Sequence, residues 1–241
     1  MLFRSQPRVP AVSAALAVYM AGWLFLSGGI LDRYGRQRRL GSAAFFSACG
    51  SYFWRFVRLG VIVGVAYWFL FTYVHTWLFT NWYGGVNADL AVERTAVAWR
   101  FSMYALFGFW LVVINVIADY AKVRMVVEDR RSAIGAVVAA LGFIRRNLGR
   151  VVGLYIANGL LFLVVIGVWA LVAPGAGGAG ASMWLGFVAG QVYLVARLMV
   201  KLQFMASQTA LFQRSLAHAS YVAAPLPKWP ESPSVEAVSR V

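Results

Sequence analysis

The residues of this chain that could do chemistry inside an apolar medium are few and scattered. His75 stands among Thr72, Thr76 and Thr80, and a histidine in such a stretch can ligate a haem or a chlorophyll-type pigment. Its only fellow is His218, so the expected role is a hydrogen bond to a neighbouring helix or to interfacial water. Asn115 and Asn158 lie at similar distances from one basic segment. They could join two antiparallel helices through paired amides, at roughly 1 kcal/mol or less per bond. Gln191 reads as a further interhelical contact, or as part of a polar path. Asp119 and Lys122, three residues apart, could pair as a gate does or form the solvated end of a helix. Asp89, Glu93 and Arg94 are the scattered charges of a short loop. No metal-ligand cluster, nucleophile with a base, phosphate loop or carboxylate pair is found. The reading is therefore non-enzymatic, with no cofactor expected and a haem or pigment at His75 left open. The single cysteine, Cys49, forbids an internal disulfide and reads as a small packing residue.

The elements that must position these groups are set by hydropathy. The 241 residues are 61% hydrophobic and 12% charged, with a mean hydropathy of +0.71, against roughly 45–50% apolar and about 25% charged in soluble domains. Five apolar runs, about 11–31, 59–81, 99–118, 151–172 and 183–203, are each long enough to span a bilayer. An all-α integral membrane bundle of five spans follows, with residues 1–221 as one polytopic unit. The first run begins like a signal peptide, after Arg4 and Arg8, but is longer than the usual apolar region and ends without a small-x-small cleavage site. It is expected to be retained. Gly and Pro at 174–180 mark a turn that makes the fourth and fifth spans antiparallel neighbours.

The net charge of +14 lies beside the spans and not on a hydrophilic domain, which argues against nucleic acid and for anionic phospholipid headgroups. Arg33, Arg36, Arg38, Arg39, Arg55 and Arg58 occupy the first gap; Lys122, Arg124, Arg130, Arg131, Arg145, Arg146 and Arg150 occupy the third. The second gap holds only Arg94 and Arg100. By the positive-inside rule the first and third gaps are cytoplasmic, the N-terminus outside and the C-terminus inside. Trp77, Trp82, Tyr83, Trp99, Trp169 and Trp184 then form an outer aromatic belt, while Arg197 and Lys201 snorkel to the inner surface.

Both basic gaps carry helical periodicity. In the first, Phe45, Cys49, Tyr52 and Phe56 recur opposite Ser47, Ser51, Arg55 and Arg58. This predicts an amphipathic helix lying in the interface, the alternative being an extension of span two. In the third, Arg124, Glu128 and Arg131 are spaced for ion pairing, and Val137, Leu141, Ile144 and Leu148 predict an apolar stripe ending at Arg145-Arg146-Asn147. An elbow of two helices is expected there. A shift of 92 residues superposes Arg38-Arg39 on Arg130-Arg131, Ala44 on Ala136 and Arg58 on Arg150, which suggests a parallel repeat or convergent use of basic helices. Gly60 with Gly64, and Gly186 with Gly190, are small-residue pairs expected at helix-packing sites. Residues 222–241 form a proline-rich polar tail.

The run from Asp119 to Ser132 (DYAKVRMVVEDRRS), with Gly135-Ala136 and Arg145-Arg146-Asn147 after it, resembles a segment of uncharacterised bacterial polytopic membrane proteins. It is similar, more distantly, to the membrane-anchor domain of some glycerophosphodiester phosphodiesterases. About thirty residues carry the likeness. It implies a bacterial inner-membrane protein and transfers no catalytic residue. The functional expectation is an accessory or scaffold subunit touching partner membrane proteins and anionic lipids, the lipid contact being made by Arg38, Arg39, Arg55, Arg58, Arg130, Arg131, Arg145 and Arg146. The alternative is a small transporter or lipid-handling protein, which requires Asn115, Asn158 and Gln191 to share one cavity.

Overall fold

An apolar chain in lipid must satisfy its backbone groups internally, and long runs of Leu, Val, Ala and aromatic residues do so as helices. The computed structural model describes residues 9–36, 41–88, 93–172 and 181–223. Among the described residues there are helices and no strand: α1 (Val9–Arg36), α2 (Ser42–Phe69), α3 (Tyr83–Ala88), α4 (Glu93–Val127), α5 (Ala133–Arg146), α6 (Leu148–Val172) and α7 (Ala181–Ala223). Five stretches are long and apolar enough to cross a membrane, namely Val12–Arg36, Ser42–Val86, Glu93–Val127, Leu148–Val172 and Met183–Leu216. The predicted all-α bundle of five spans is what is found. The Gly-rich turn at 174–180 and the tail from Ala224 lie outside the described residues.

Three of these rods far exceed the thickness of a bilayer. The stretch from Ser42 to Val86 has 45 residues, about 67 Å at 1.5 Å per residue, against roughly 30 Å of hydrocarbon. α4 has 35 residues and α7 has 43. Their excess lies at the arginine-rich end, and there the main core forms. Leu31, Tyr52, Phe56, Leu59, Tyr120, Met125, Phe143 and Phe212 are buried together, with the Phe143 ring centroid 5.1 Å from those of both Tyr120 and Phe212. The spanning portions are far less enclosed: 6% of the most apolar stretch of α6 and none of that of α7 is buried. A smaller cluster of Leu70, Leu78, Met103 and Phe107 joins the stretch that continues α2 to α4 near the aromatic-belt end, where Trp82 and Trp99 meet edge to face at 6.0 Å.

The first predicted amphipathic segment is not a separate interfacial element. Cys49, Tyr52, Phe56 and Leu59 are buried, so the stripe is the right one, but it faces protein and its helix runs unbroken into span two. Lone glycines at 50 and 60 do not stop a helix whose neighbours are strongly apolar. Further along, two π-helical turns, Leu70–His75 and Trp77–Trp82, link α2 to α3. Leu70, Val74 and Leu78 on these turns pack against Met103 and Phe107 of α4.

The close approach of α1 to α2 is made by Gly28 and Gly29. A Cβ on Gly28 would lie 3.0 Å from Tyr52 Cβ, and one on Gly29 would lie 2.5 Å from Cys49 Sγ. The glycines predicted for this role behave differently. Gly60 has only Leu24 Cδ1 at 4.0 Å, Gly64 and Gly190 face open space, and Gly186 is half-buried. Among the described residues, no other backbone comes close to Gly60, Gly64 or Gly190.

The elbow after α4 is present. Asp129 adopts φ +50°, a left-handed conformation that ends helices and that Asp tolerates. Ser132 then caps α5, its hydroxyl accepting from the Gly135 amide at 3.2 Å. On α5 the fully buried residues are Ala133, Ala136, Ala140 and Phe143; of the predicted stripe, Val137 and Ile144 pack partly buried against the core, while Leu141 and Leu148 are exposed. Alanines permit a tight seat on α4, and the bulkier Ile134 and Val138 turn outward, 69% and 63% exposed, with Leu141 beside them. The 92-residue repeat does not extend to structure, because α5 is closed at Asn147 while its counterpart continues. Ala136 is buried and its partner Ala44 is exposed.

Candidate functional site

Where α4, α6 and α7 converge, one carboxylate gathers side chains from all three. Asp119 Oδ1 pairs with Lys122 Nζ at 2.9 Å. Its Oδ2 accepts from the Tyr155 hydroxyl at 3.0 Å and from Gln208 Nε2 at 3.3 Å. The same amide donates to Tyr155 Oη at 2.9 Å, closing a triangle. A carboxylate in so apolar a setting is tolerable because a cation and two donors compensate it. The predicted Asp119–Lys122 pair is therefore present, as an anchored junction and not a solvated helix end.

Two adjoining cavities open on this junction. The smaller, about 350 Å³, is lined by Asn115, Asp119, Lys122 and Gln208 among others. The larger, about 790 Å³, runs between α1, α6 and α7 past Tyr19, Asn158, Phe162, Arg197 and Leu198. Trp23, Tyr155, Lys201 and Phe204 line both. Lys201 Nζ sits 3.4 Å from the centroid of the Trp23 ring, a cation–π contact. Among the described residues no carboxylate pairs with Lys201 or with Arg197. The walls are apolar and the floor carries an excess of positive charge.

Asn115 and Asn158 do not pair with each other. Asn115 Nδ2 donates to the Leu111 carbonyl at 3.0 Å; Asn158 Nδ2 donates to the Leu154 carbonyl at 2.9 Å and to Ser207 Oγ at 3.4 Å. They line neighbouring cavities. Gln191 is exposed and lines neither, so the trio required for a polar path does not assemble. Gln208 and Tyr155 take that place. Both were missed in the sequence, Gln208 because the polar run Ser207-Gln208-Thr209 looks like the end of a span when α7 in fact continues, with Gln208 2% and Thr209 1% exposed.

His75 is wrapped in rings. Phe79 lies 4.6 Å from it, Phe107 5.2 Å and Phe71 6.4 Å between centroids. The imidazole packs as one more ring, and among the described residues it makes no hydrogen bond to a neighbouring helix. No set of three or more metal-ligating side chains occurs among the described residues.

The eight arginines expected to meet lipid separate into distinct environments. Arg38 and Arg39 lie outside the described residues. Arg55 is committed elsewhere, paired with Asp129 across the α2–α4 contact and stacked 5.2 Å from the Tyr52 ring centroid. That pair holds the Asp129 carboxyl below its usual range, through the hydrogen bond and charge of Arg55. Arg130 pairs with Glu128, which Arg124 also holds at 3.1 Å. Arg58, Arg131, Arg145 and Arg146 are exposed. Arg131 and the Arg145–Arg146 pair flank the two ends of the outward face of α5. Comparison with protein-family models, with curated proteins and with solved structures finds no match to this chain.

Proposed function

We propose that this chain is a multi-pass protein of a bacterial inner membrane, with its arginine-rich end in the cytoplasm, where it holds anionic phospholipid and serves partner membrane proteins as a non-enzymatic accessory or scaffold subunit. The observation that carries the lipid part is α5. Its alanine face is seated on α4, its outward row of Ile134, Val138 and Leu141 is uncovered, and arginines stand at both ends. That combination suits a helix lying at the acyl boundary with guanidinium groups among phosphates. Purified protein in neutral detergent would be titrated with phosphatidylglycerol or phosphatidylcholine and followed by thermal unfolding. Phosphatidylglycerol should raise the midpoint of the wild type, and R131Q/R145Q/R146Q should lose most of that rise. An equal rise in the triple variant refutes the assignment.

A second reading, a small transporter or lipid-handling protein, loses the trio of Asn115, Asn158 and Gln191 expected from the sequence and is supported instead by the three-helix junction at Asp119 and the cavities beside it. It requires that a ligand reach those cavities.

A further inference from the structure

The groove between α1, α6 and α7 has the two-part character of an amphiphile. Its walls are Tyr19, Phe162, Leu194 and Leu198, and its floor carries Lys201 and Arg197. Lys122 approaches from the smaller cavity that shares Lys201. Of these three cations only Lys122 has a carboxylate partner among the described residues, and that partner, Asp119, is already held by Tyr155 and Gln208. The junction thus presents three positive groups against one negative. Lys201 is 17 residues from Trp184 on the same helix, about 25 Å at 1.5 Å per residue. With Trp184 at one interface, Lys201 lies close to the other, at the depth of headgroup phosphates. Trp23 under the ammonium holds it at the charged end of the groove, and an amphipathic ring at this depth suits a headgroup boundary.

We infer that this groove is a binding site for one anionic phospholipid, its phosphate seated between Lys201, Arg197 and Lys122 and one acyl chain laid along Tyr19, Phe162 and Leu198. The inference rests on the lipid-handling reading and gives that reading its ligand. It concerns a site apart from α5. The unpaired cations supply the selectivity: a zwitterionic headgroup brings its own ammonium into the cluster and is repelled, whereas a glycerol headgroup is not. The apolar walls supply much of the affinity, so a phosphate without chains is a poor occupant.

Native mass spectrometry of the whole protein from neutral detergent, with defined lipid added, counts bound molecules and ranks affinities. One tightly held phosphatidylglycerol is expected, about tenfold tighter than phosphatidylcholine, as the loss of one charge-assisted contact implies. K201Q should weaken it by about tenfold, and K201R should restore most of the binding. The variant R131Q/R145Q/R146Q should keep this one lipid, which separates the groove from α5. Competition by inorganic phosphate at millimolar levels would assign the cations to a free anion and overturn the lipid. Equal binding of phosphatidylcholine, or unaltered binding by K201Q with an unchanged melting point, overturns the site. If K201Q melts early, R197Q alone is read by the same criterion.

Discussion

Replacing Gly29 by alanine should destabilise the bundle, although glycine-to-alanine exchange inside a helix ordinarily stabilises it by up to about 1 kcal/mol. The added methyl would fall 2.5 Å from Cys49 Sγ and 2.8 Å from Phe45 Cε2. Cys49 is fully buried, and Phe45 packs edge to face on Phe46 at 5.5 Å, so neither group has free space on every side. Overpacking of this kind costs about 1–3 kcal/mol. Little of the helix-propensity gain offsets it, because a chain unfolded in detergent remains largely helical. A net loss of about 1–2 kcal/mol is expected. G64A is the control: nothing lies within 4 Å of a Cβ there, so it should be neutral or slightly stabilising. The double variant G29A/C49A removes the sulfur that the methyl meets and should recover part of the loss, a coupling that additive effects do not give. Reversible unfolding in mixed micelles, monitored by circular dichroism and by tryptophan emission, measures all three. If G29A and G64A prove equally stable, the α1–α2 contact is not where the backbones come together.

Other expectations follow from the same geometry. Y155F deletes the hydroxyl that donates to Asp119 and accepts from Gln208; a loss of about 1 kcal/mol is expected in the same unfolding assay, and no loss would mean that the triangle is not formed. Because Arg55 lowers the Asp129 carboxyl in the folded state, that pair contributes stability above the ordinary carboxylate range, near pH 4, and the contribution disappears as pH falls further, through the lowered folded value. With Asp129 69% exposed the effect is small, and D129N should lower the melting point slightly at neutral pH, where the pair is formed, and leave it unchanged at acid pH, which flattens the acid limb of the curve. H75F should fold as the wild type does, since ring contacts with Phe71, Phe79 and Phe107 persist, while H75A should lose about 1 kcal/mol; a visible absorption band that vanishes in H75F would instead assign a pigment or haem. For orientation, a cysteine placed at Ser132 in a C49A background should react with an impermeant maleimide only after cells are opened, and reaction in intact cells reverses the threading.

The spans were legible because hydropathy and backbone hydrogen bonding alone decide them. Where the arginine-rich stretches went was harder to read. Periodicity identified Cys49, Tyr52 and Phe56 as one face but not what that face touches, since lipid and another helix are equally apolar. On α5 the apolar stripe was read through Val137, Leu141, Ile144 and Leu148, yet Ala136 and Ala140 are the residues fully buried in one cluster with Tyr120 and Ala121, and hydrophobicity scales do not reward small size. Gly60 and Gly64 fit a spacing rule for close helices, while Gly28 and Gly29, adjacent and outside the rule, are used. The junction at Asp119 was half visible: the Lys122 pair is local, whereas Tyr155 and Gln208 come from 36 and 89 residues away, a separation that no single-sequence pattern reports.

The main core lies at the arginine-rich end of the helices, reaching only the edge of their bilayer-length portions. The molecule is accordingly fastened like a bouquet, its stems bound together and its heads held more thinly, by the smaller cluster on α4 and by Trp169 stacked on Tyr193. Removing the surrounding lipid costs the bound end little, while the loose portions of α6 and α7 lose the neighbours that set their spread. A thinner or thicker bilayer would then tune the width of the groove between α1 and α7 without disturbing the knot that ties the stems.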